Sequence, residues 1–393
     1  MSSWCHRYTL CITLRCNLAC SYCYVSKNPA TMSLSTARQA LDFIFRHAPP
    51  RSEIAIGFFG GEPLLEFRLL REITDLIEAH PSFDPLRVRF SLTTNGTVFS
   101  DAIASFLKAH AFEVCVSCDG PPEVQNHLRR TRTGKDTARR VEQTLIAAQQ
   151  VLSSVLVNAV YHPLTFRRLP ETVDYLSGLG LRQINLDPDF SARWTREDAD
   201  SLPAVYKAIA DLYIAWYLNQ DPHYVSVIDN KIAVLIRGGF SLLERCHMGR
   251  AELAITPDGG LYPCERLIGS GANGEHRIGS IEHGLDLERL TRHCVSGGRL
   301  NRECESCDIK DYCVNWCGCA NASVSGFYNR AGPFLCASER AAMRTALDVF
   351  EALEHRKSTV FTHHLAGVPI WNSQVTLLKG RKVEHCAYAK RII

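Results

Sequence analysis

The chain lacks the long apolar run that a membrane-spanning helix needs: no stretch approaches about 18 uncharged apolar residues. A secretory start is missing too, because MSSWCHRYTL has no basic segment leading into an apolar one. Nor is there a large charge of either sign. Lys and Arg total 44 against 41 Asp and Glu, a net charge of +3, so composition argues for no nucleic-acid partner. No internal repeat and no low-complexity segment occurs. These absences leave a globular, cytoplasmic chain as the expectation. Its 393 residues, with 46% hydrophobic and 22% charged, suffice for a sizeable core and two domains.

Cysteine is what the chain has in excess. There are 17, an odd number, in a long sequence without an export signal. A secreted disulfide scaffold is short and spreads its cysteines out. Here Cys16, Cys20 and Cys23 crowd one short stretch, LRCNLACSYCYV, and a second, larger group lies between 246 and 336. Clustering of this kind points to a reducing compartment and to metal or iron–sulfur ligation.

Hydrophobic patterning predicts strands at 8–14, 53–59, 88–96, 112–117, 154–162 and 183–188. Helices are predicted at 33–47, after GGEPLL, at 99–110, at 137–150 and before 183. Six strand–helix alternations argue for a parallel sheet with helices outside, either an open doubly wound sheet or a partial barrel. In such folds the reacting groups sit on loops after the C-terminal strand ends. RCNLACSYC, GGEP, TTNG and CDGP all fall on such loops, so they are expected to converge. After a helix at 198–219 the character changes: 240–336 is rich in Gly and Cys with little periodicity, as in a small domain held by metal centres. A helix is expected at 337–354 and a strand at SQVTLL in the tail.

Cysteine thiolates ligate iron–sulfur clusters. Three of them on a four-iron cluster leave one iron open for a substrate or cofactor, which explains a C-x3-C-x2-C loop with no fourth cysteine. The alternatives are buried free thiols or a zinc site completed by a distant histidine. C-x3-C-x-aromatic-C, here Cys16, Cys20, Tyr22 and Cys23, resembles the radical S-adenosylmethionine (SAM) superfamily. The resemblance implies a partial (β/α)6 barrel, SAM chelated at the open iron, and a 5′-deoxyadenosyl radical that abstracts hydrogen from the substrate. Gly60, Gly61, Glu62 and Pro63 match the motif for the SAM amino group. Glycine admits close backbone approach and a carboxylate favours an amine. Ser117, in SCDGP, resembles a SAM-touching turn of one branch of that superfamily, and Arg129 falls where that branch places an arginine near the SAM carboxylate. The other reading of Arg129 is a solvated member of the basic run RRTR. Asn95 and Asn158, at strand ends, are further candidates.

Cys246, Gly259, Cys264, Cys304, Cys307, Cys313, Cys317 and Cys336 give C-x12-G-x4-C, C-x2-C-x5-C-x3-C and a last cysteine. This pattern resembles the SPASM domain of radical SAM maturases of peptides and proteins. The resemblance implies three 4Fe–4S clusters, one SAM-binding and two auxiliary. The first auxiliary cluster takes Cys246, Cys264 and Cys317, the second Cys304, Cys307, Cys313 and Cys336. Some relatives supply a fourth cysteine just before the pattern, and IRGGFSLLER has none. Cys294, Cys319, His247 or an open iron remain for that place. Cys11, Cys115 and Cys118 are expected in the core. Glu265 stands where sulfatase-maturing relatives carry an aspartate base; glutamate can take a proton there or serve as a surface ion-pairing residue.

The expected layout is a small SPASM domain at 221–345 after a core at 1–220, with a C-terminal helix and tail at 346–393. The leading expectation is a peptide maturase that crosslinks or oxidises a ribosomally made precursor (a RiPP), with an electron donor such as flavodoxin or ferredoxin. An anaerobic sulfatase-maturating enzyme making formylglycine, a small-metabolite radical SAM enzyme, and a non-enzymatic metal-binding or electron-transfer module are the alternatives. The first strand begins almost at the start, so no N-terminal leader-binding domain is expected. HHLAGVPIWNSQVTLLKG is a candidate for pairing with an extended peptide.

Overall fold

The computed structural model describes residues 5–241, 244–269, 274–292 and 302–367. Strands and helices alternate through the first half: β1 (His6–Thr13), α1 (Leu34–His47), β2 (Ile54–Gly60), α2 (Phe67–Glu78), β3 (Val88–Thr94), α3 (Asp101–Ala109), β4 (Glu113–Ser117), α4 (Pro122–Leu128), α5 (Ala138–Val151), β5 (Val155–Tyr161), α6 (Leu169–Gly178) and β6 (Gln183–Pro188). There follow α7 (Arg196–Leu218), β7 (Tyr224–Val225), α8 (Ser226–Arg237), β8 (Glu252–Ile255), β9 (Gly260–Tyr262), β10 (Gly279–Ser280), β11 (Gly284–Leu285), α9 (Leu287–Leu290), α10 (Arg302–Glu305), α11 (Gly318–Ser325), α12 (Pro333–His355) and α13 (Thr359–Gly367).

Local chemistry sets the helix ends. Ser33 caps α1 by accepting the Thr36 N–H, and Ala37, Ala40, Leu41 and Ile44 then bury one face. Thr195 and Asp198 form a reciprocal capping box at the start of α7. Gly238, at φ +77°, closes α8 in the left-handed region that glycine adopts freely.

The chain forms two compact units. The first takes Met1–Cys118, Gln125–Leu156 and Cys246–Gly298; the second takes Asp119–Val124, Val157–Arg245 and Arg299–Ile393. In the first, the strand order is β11-β10-β9-β8-β1-β2-β3-β4. β8, β1, β2, β3 and β4 run parallel, and β8 to β11 form antiparallel hairpins. In the second, β5, β6 and β7 are parallel, and α12 packs along α7 and α8.

The parallel α/β architecture is the one the strand–helix alternation implies. The stretch after 240 is more ordered than its weak periodicity suggests. β8 pairs with β1 from Arg7↔Glu252 to Leu10↔Ile255, so the segment leading to Cys264 and Glu265 extends the first unit's sheet. Cys11, Cys115 and Cys118 are buried, as their type favours, and Cys11 packs with Ala254 and Ile268. The strand expected at SQVTLL, together with Cys294 and Cys386, lies outside the described residues. Among the described residues, no helix is long and apolar enough to cross a membrane.

Candidate active site

The three-cysteine loop leaves β1 at its C-terminal end. Cys16 is buried, Cys20 half-buried and Cys23 exposed, a gradient from the sheet outwards. The loop is braced from several sides. Ala19 N–H donates to Arg130 O at 2.8 Å and Ser21 N–H to Leu128 O at 3.0 Å. Lys27 Nζ donates to Leu18 O at 3.0 Å. The Cys16 sulfur accepts from the Leu18 N–H at 3.4 Å and faces Asn95 Nδ2 at 3.8 Å. Burial raises the Cys16 thiol, and the Leu18 N–H and the nearby Lys27 ammonium act against that rise. Among the described residues, no three His, Cys, Asp or Glu side chains converge closely enough to hold a single ion.

GGEP ends β2 against this loop. Gly61 N–H donates to Thr13 O at 2.9 Å and Glu62 N–H to Arg15 O at 2.8 Å. A Cβ on Gly60 would lie 2.0 Å from Thr13 O, and one on Gly61 2.1 Å from Arg15 O. Only glycine permits that approach. Glu62 is fully buried. Its Oε1 accepts from Leu64 N–H at 3.0 Å and Thr94 Oγ1 at 2.9 Å, and its Oε2 from Asn95 N–H at 2.6 Å. Burial raises its carboxyl to about 7, against those hydrogen bonds and the nearby Arg129. A cationic amine brought beside it would relieve that burial. The residues therefore suit an ammonium-bearing cofactor. Pro63 starts a short 3-10 turn after this glutamate, a position where its missing N–H costs nothing.

Arg129 is only 6% exposed, which ends its reading as a solvated basic residue. Its guanidinium sits over the Tyr22 ring at 5.1 Å. Ser117, the last residue of β4, is buried. Glu265 is half-buried. With Cys264, Arg266 and Cys23 it lies in electrostatic range of the Tyr24 hydroxyl, and Arg266 stands over the Tyr24 ring at 5.9 Å. The segment after β9 therefore lies beside the three-cysteine loop.

In the second unit, Cys304, Cys307 and Cys336 interact electrostatically. Burial raises the Cys304 thiol first, and Cys336 and Cys307 add to it. Burial also pushes the Cys313 thiol far up. Cys317 precedes α11, with the Cys319 sulfur 3.7 Å from its own. His247 lies in the first unit, near His6.

Residues 10–176 match the family model described as the radical SAM superfamily. This stretch is a radical SAM domain. The chain is similar to the serine-type anaerobic sulfatase-maturating enzyme of Klebsiella aerogenes, 27% identical over 77% of this chain and 76% of that one. Native anSMEcpe with bound AdoMet and Cp18Cys peptide shares its fold with a TM-score of 0.74 at 20% identity, over 90% of this chain and 99% of that chain. Streptococcus suis SuiB bound to precursor peptide SuiA does so with a TM-score of 0.58 at 15% identity, over 85% and 76%.

Some residues around the radical SAM domain's cysteine loop escape a reading by motif. Asn17 accepts from Asn95 Nδ2 at 2.9 Å and donates to Thr97 Oγ1 at 2.7 Å, tying the loop to the end of β3. TTNG after a strand was the available signal. Asn158 instead lies in the second unit, within β5. That unit also holds a cavity of about 290 Å³, lined among others by Tyr161, Asp187, Lys231, Phe240 and Trp316. Its walls come from distant parts of the chain, so no local pattern announces it.

Proposed function

We propose that this chain is a radical SAM peptide or protein maturase with a SPASM-type auxiliary domain at 221–345. A 4Fe–4S cluster on Cys16, Cys20 and Cys23 would hold SAM. Two auxiliary 4Fe–4S clusters would take Cys246, Cys264 and Cys317, and Cys304, Cys307, Cys313 and Cys336. When bound, cluster and SAM supply one electron and a hydrogen-abstracting radical.

The observation that carries this reading is the placement of Glu265 and Cys264 in electrostatic range of Tyr24, the neighbour of Cys23. A carboxylate there suits proton removal from a substrate carbon beside the three-cysteine loop. Gly60 and Gly61 would let their backbone meet SAM, Glu62 would accept its ammonium, and Ser117 and Arg129 would meet the rest. Tyr22 orients Arg129 through its ring. The electron donor would be a flavodoxin or ferredoxin, in the cytoplasm.

A second reading, formylglycine formation on a sulfatase cysteine or serine, is favoured by the likeness to the Klebsiella aerogenes enzyme. The test is anaerobic reconstitution with iron counted per chain, then reduction with SAM and mass spectrometry for 5′-deoxyadenosine. About twelve irons with deoxyadenosine are expected, falling to about eight and none in the Cys16→Ala, Cys20→Ala, Cys23→Ala variant. Zinc in place of iron, or no SAM cleavage, overturns the proposal. Adding peptides bearing a sulfatase-type Cys or Ser, and reading formylglycine by mass, separates the two readings.

A further inference from the structure

One face of α12 reaches the 304–313 loop. Cys336, Glu339 and Arg340 occupy positions i, i+3 and i+4 of this helix and so share that face. Arg340 Nη2 lies 3.3 Å from Cys307 Sγ, within reach for a charge-assisted N–H donation. The same guanidinium forks onto Asp308, with Nη2 to Oδ1 at 2.8 Å and Nη1 to Oδ2 at 3.4 Å. The Asp308 carboxylate is itself 3.6 Å from the Cys307 sulfur. A cation and an anion therefore both face one thiol, with the cation donating to it.

A buried ion pair holds the chain around the neighbouring Cys313. Lys231 Nζ donates to Tyr312 O at 3.1 Å and to Glu339 Oε2 at 2.5 Å, and that oxygen also accepts the Val314 N–H at 2.8 Å. This ion pair grips the backbone on both sides of Cys313. Arg344, one turn beyond Arg340, pairs outwards with Asp348 at 3.2 Å.

We propose that Arg340 tunes the second auxiliary cluster: its guanidinium, donating to Cys307 Sγ, biases that cluster's one-electron couple towards the reduced form. The inference rests on the four-iron assignment to Cys304, Cys307, Cys313 and Cys336 made above. Reduction adds one electron to the cluster and neither forms nor breaks a bond. An N–H donor and a positive charge at a ligating sulfur stabilise the added negative charge. Removing Arg340 also leaves the Asp308 carboxylate uncompensated beside the same sulfur, so both changes act in one direction. Arg340 and Asp308 are about half exposed, at 53% each, which screens the effect without changing its sign.

The experiment is an anaerobic dithionite titration of the reconstituted full chain, followed by electron paramagnetic resonance. The signal of the second auxiliary cluster is the one lost in Cys307→Ala. Arg340→Gln is expected to shift the reduction equilibrium about tenfold towards the oxidised form, about 59 mV lower for a one-electron couple. Asp308→Asn is expected to shift it the other way, and Arg344→Gln to leave it in place. An unmoved midpoint in Arg340→Gln with full iron retained overturns the proposal. Should Arg340→Gln lose the cluster, Arg340→Lys is read instead. Retained iron with an intermediate midpoint supports tuning, whereas cluster loss in both variants overturns it in favour of a purely structural role. Full iron in Cys307→Ala would instead overturn the ligand assignment itself.

Discussion

The Glu62 carboxylate accepts the backbone N–H of Asn95 at 2.6 Å, while the Asn95 side chain faces the Cys16 sulfur at 3.8 Å. One residue at the end of β3 thus joins the GGEP turn to the three-cysteine loop. Shifting that strand end would disturb both halves of the candidate site together.

Glu62 should carry a pH signature. Its carboxyl is raised by burial from 4.5 to about 7 in the folded chain. The folded value exceeds the unfolded one, so the protonated form is favoured on folding. The stability this group contributes is full below pH 4.5 and is lost as pH rises through about 7. Glu62→Gln stays neutral throughout. Its rearranged hydrogen bonds cost a constant amount, but between about pH 4.5 and 8 its stability should gain on wild type by the order of 3 kcal/mol. Denaturant melts of both proteins across that range check this; parallel curves would refute it.

Gly61→Ala should be severe. The added Cβ would meet Arg15 O at 2.1 Å and Cys16 Cβ at 3.0 Å, and the nearer contact is backbone that cannot swing away. A destabilisation of about 1–3 kcal/mol is expected, with weakened iron retention because the loop carrying Cys16 is pushed aside. Iron content and a thermal melt of the variant measure it.

Lys231→Met should destabilise more than its pairing suggests. Glu339 would keep a charge at a site only 7% exposed, and breaking a buried pair costs about 3–5 kcal/mol. The double variant Lys231→Met, Glu339→Gln should recover much of that loss in a urea titration. It should still hold Cys313 less firmly, since the Lys231 donation to Tyr312 O is gone and a neutral amide replaces the acceptor of the Val314 N–H.

His364→Ala tests how α13 is attached. Asp229 is almost fully buried, and its Oδ1 accepts from His364 Nε2 and Tyr213 OH, each at 2.8 Å. Losing one donor to a buried carboxylate should cost about 1–3 kcal/mol. Faster proteolysis within α13 than in wild type is the second readout.

Much of this was legible along the chain. Each parallel strand is a short apolar run followed by a turn, so β1 to β6 stood out by composition, and GGEP, TTNG and CDGP marked their ends. The three-cysteine loop was legible because ligands to one cluster corner are close in sequence. Arg129 was legible only in part: its position made it a candidate while its basic neighbours left a solvated reading open, and the fold buries it with its guanidinium over Tyr22. β8 to β11 were not placed, because the cysteine- and glycine-rich stretch masks their short patterns; α8, which lies before that stretch, was missed because its apolar run IAVLI reads equally as a short buried strand. Lys231 and Glu339 are 108 residues apart, and no local signal pairs them.

The sequence by itself determined the alternation of β1 to β6 with their helices, the spacing of the thiols within each loop and the glycines that let β2 approach the loop after β1. These follow from propensity, periodicity and steric size, which act over a few residues. The tertiary structure decided the rest: the burial that raises Glu62, the Arg129 cation over Tyr22, the Glu265 carboxylate near Tyr24 and the Arg340 guanidinium on Cys307. Each depends on the low dielectric and close approach that arise only when distant segments exclude water between them.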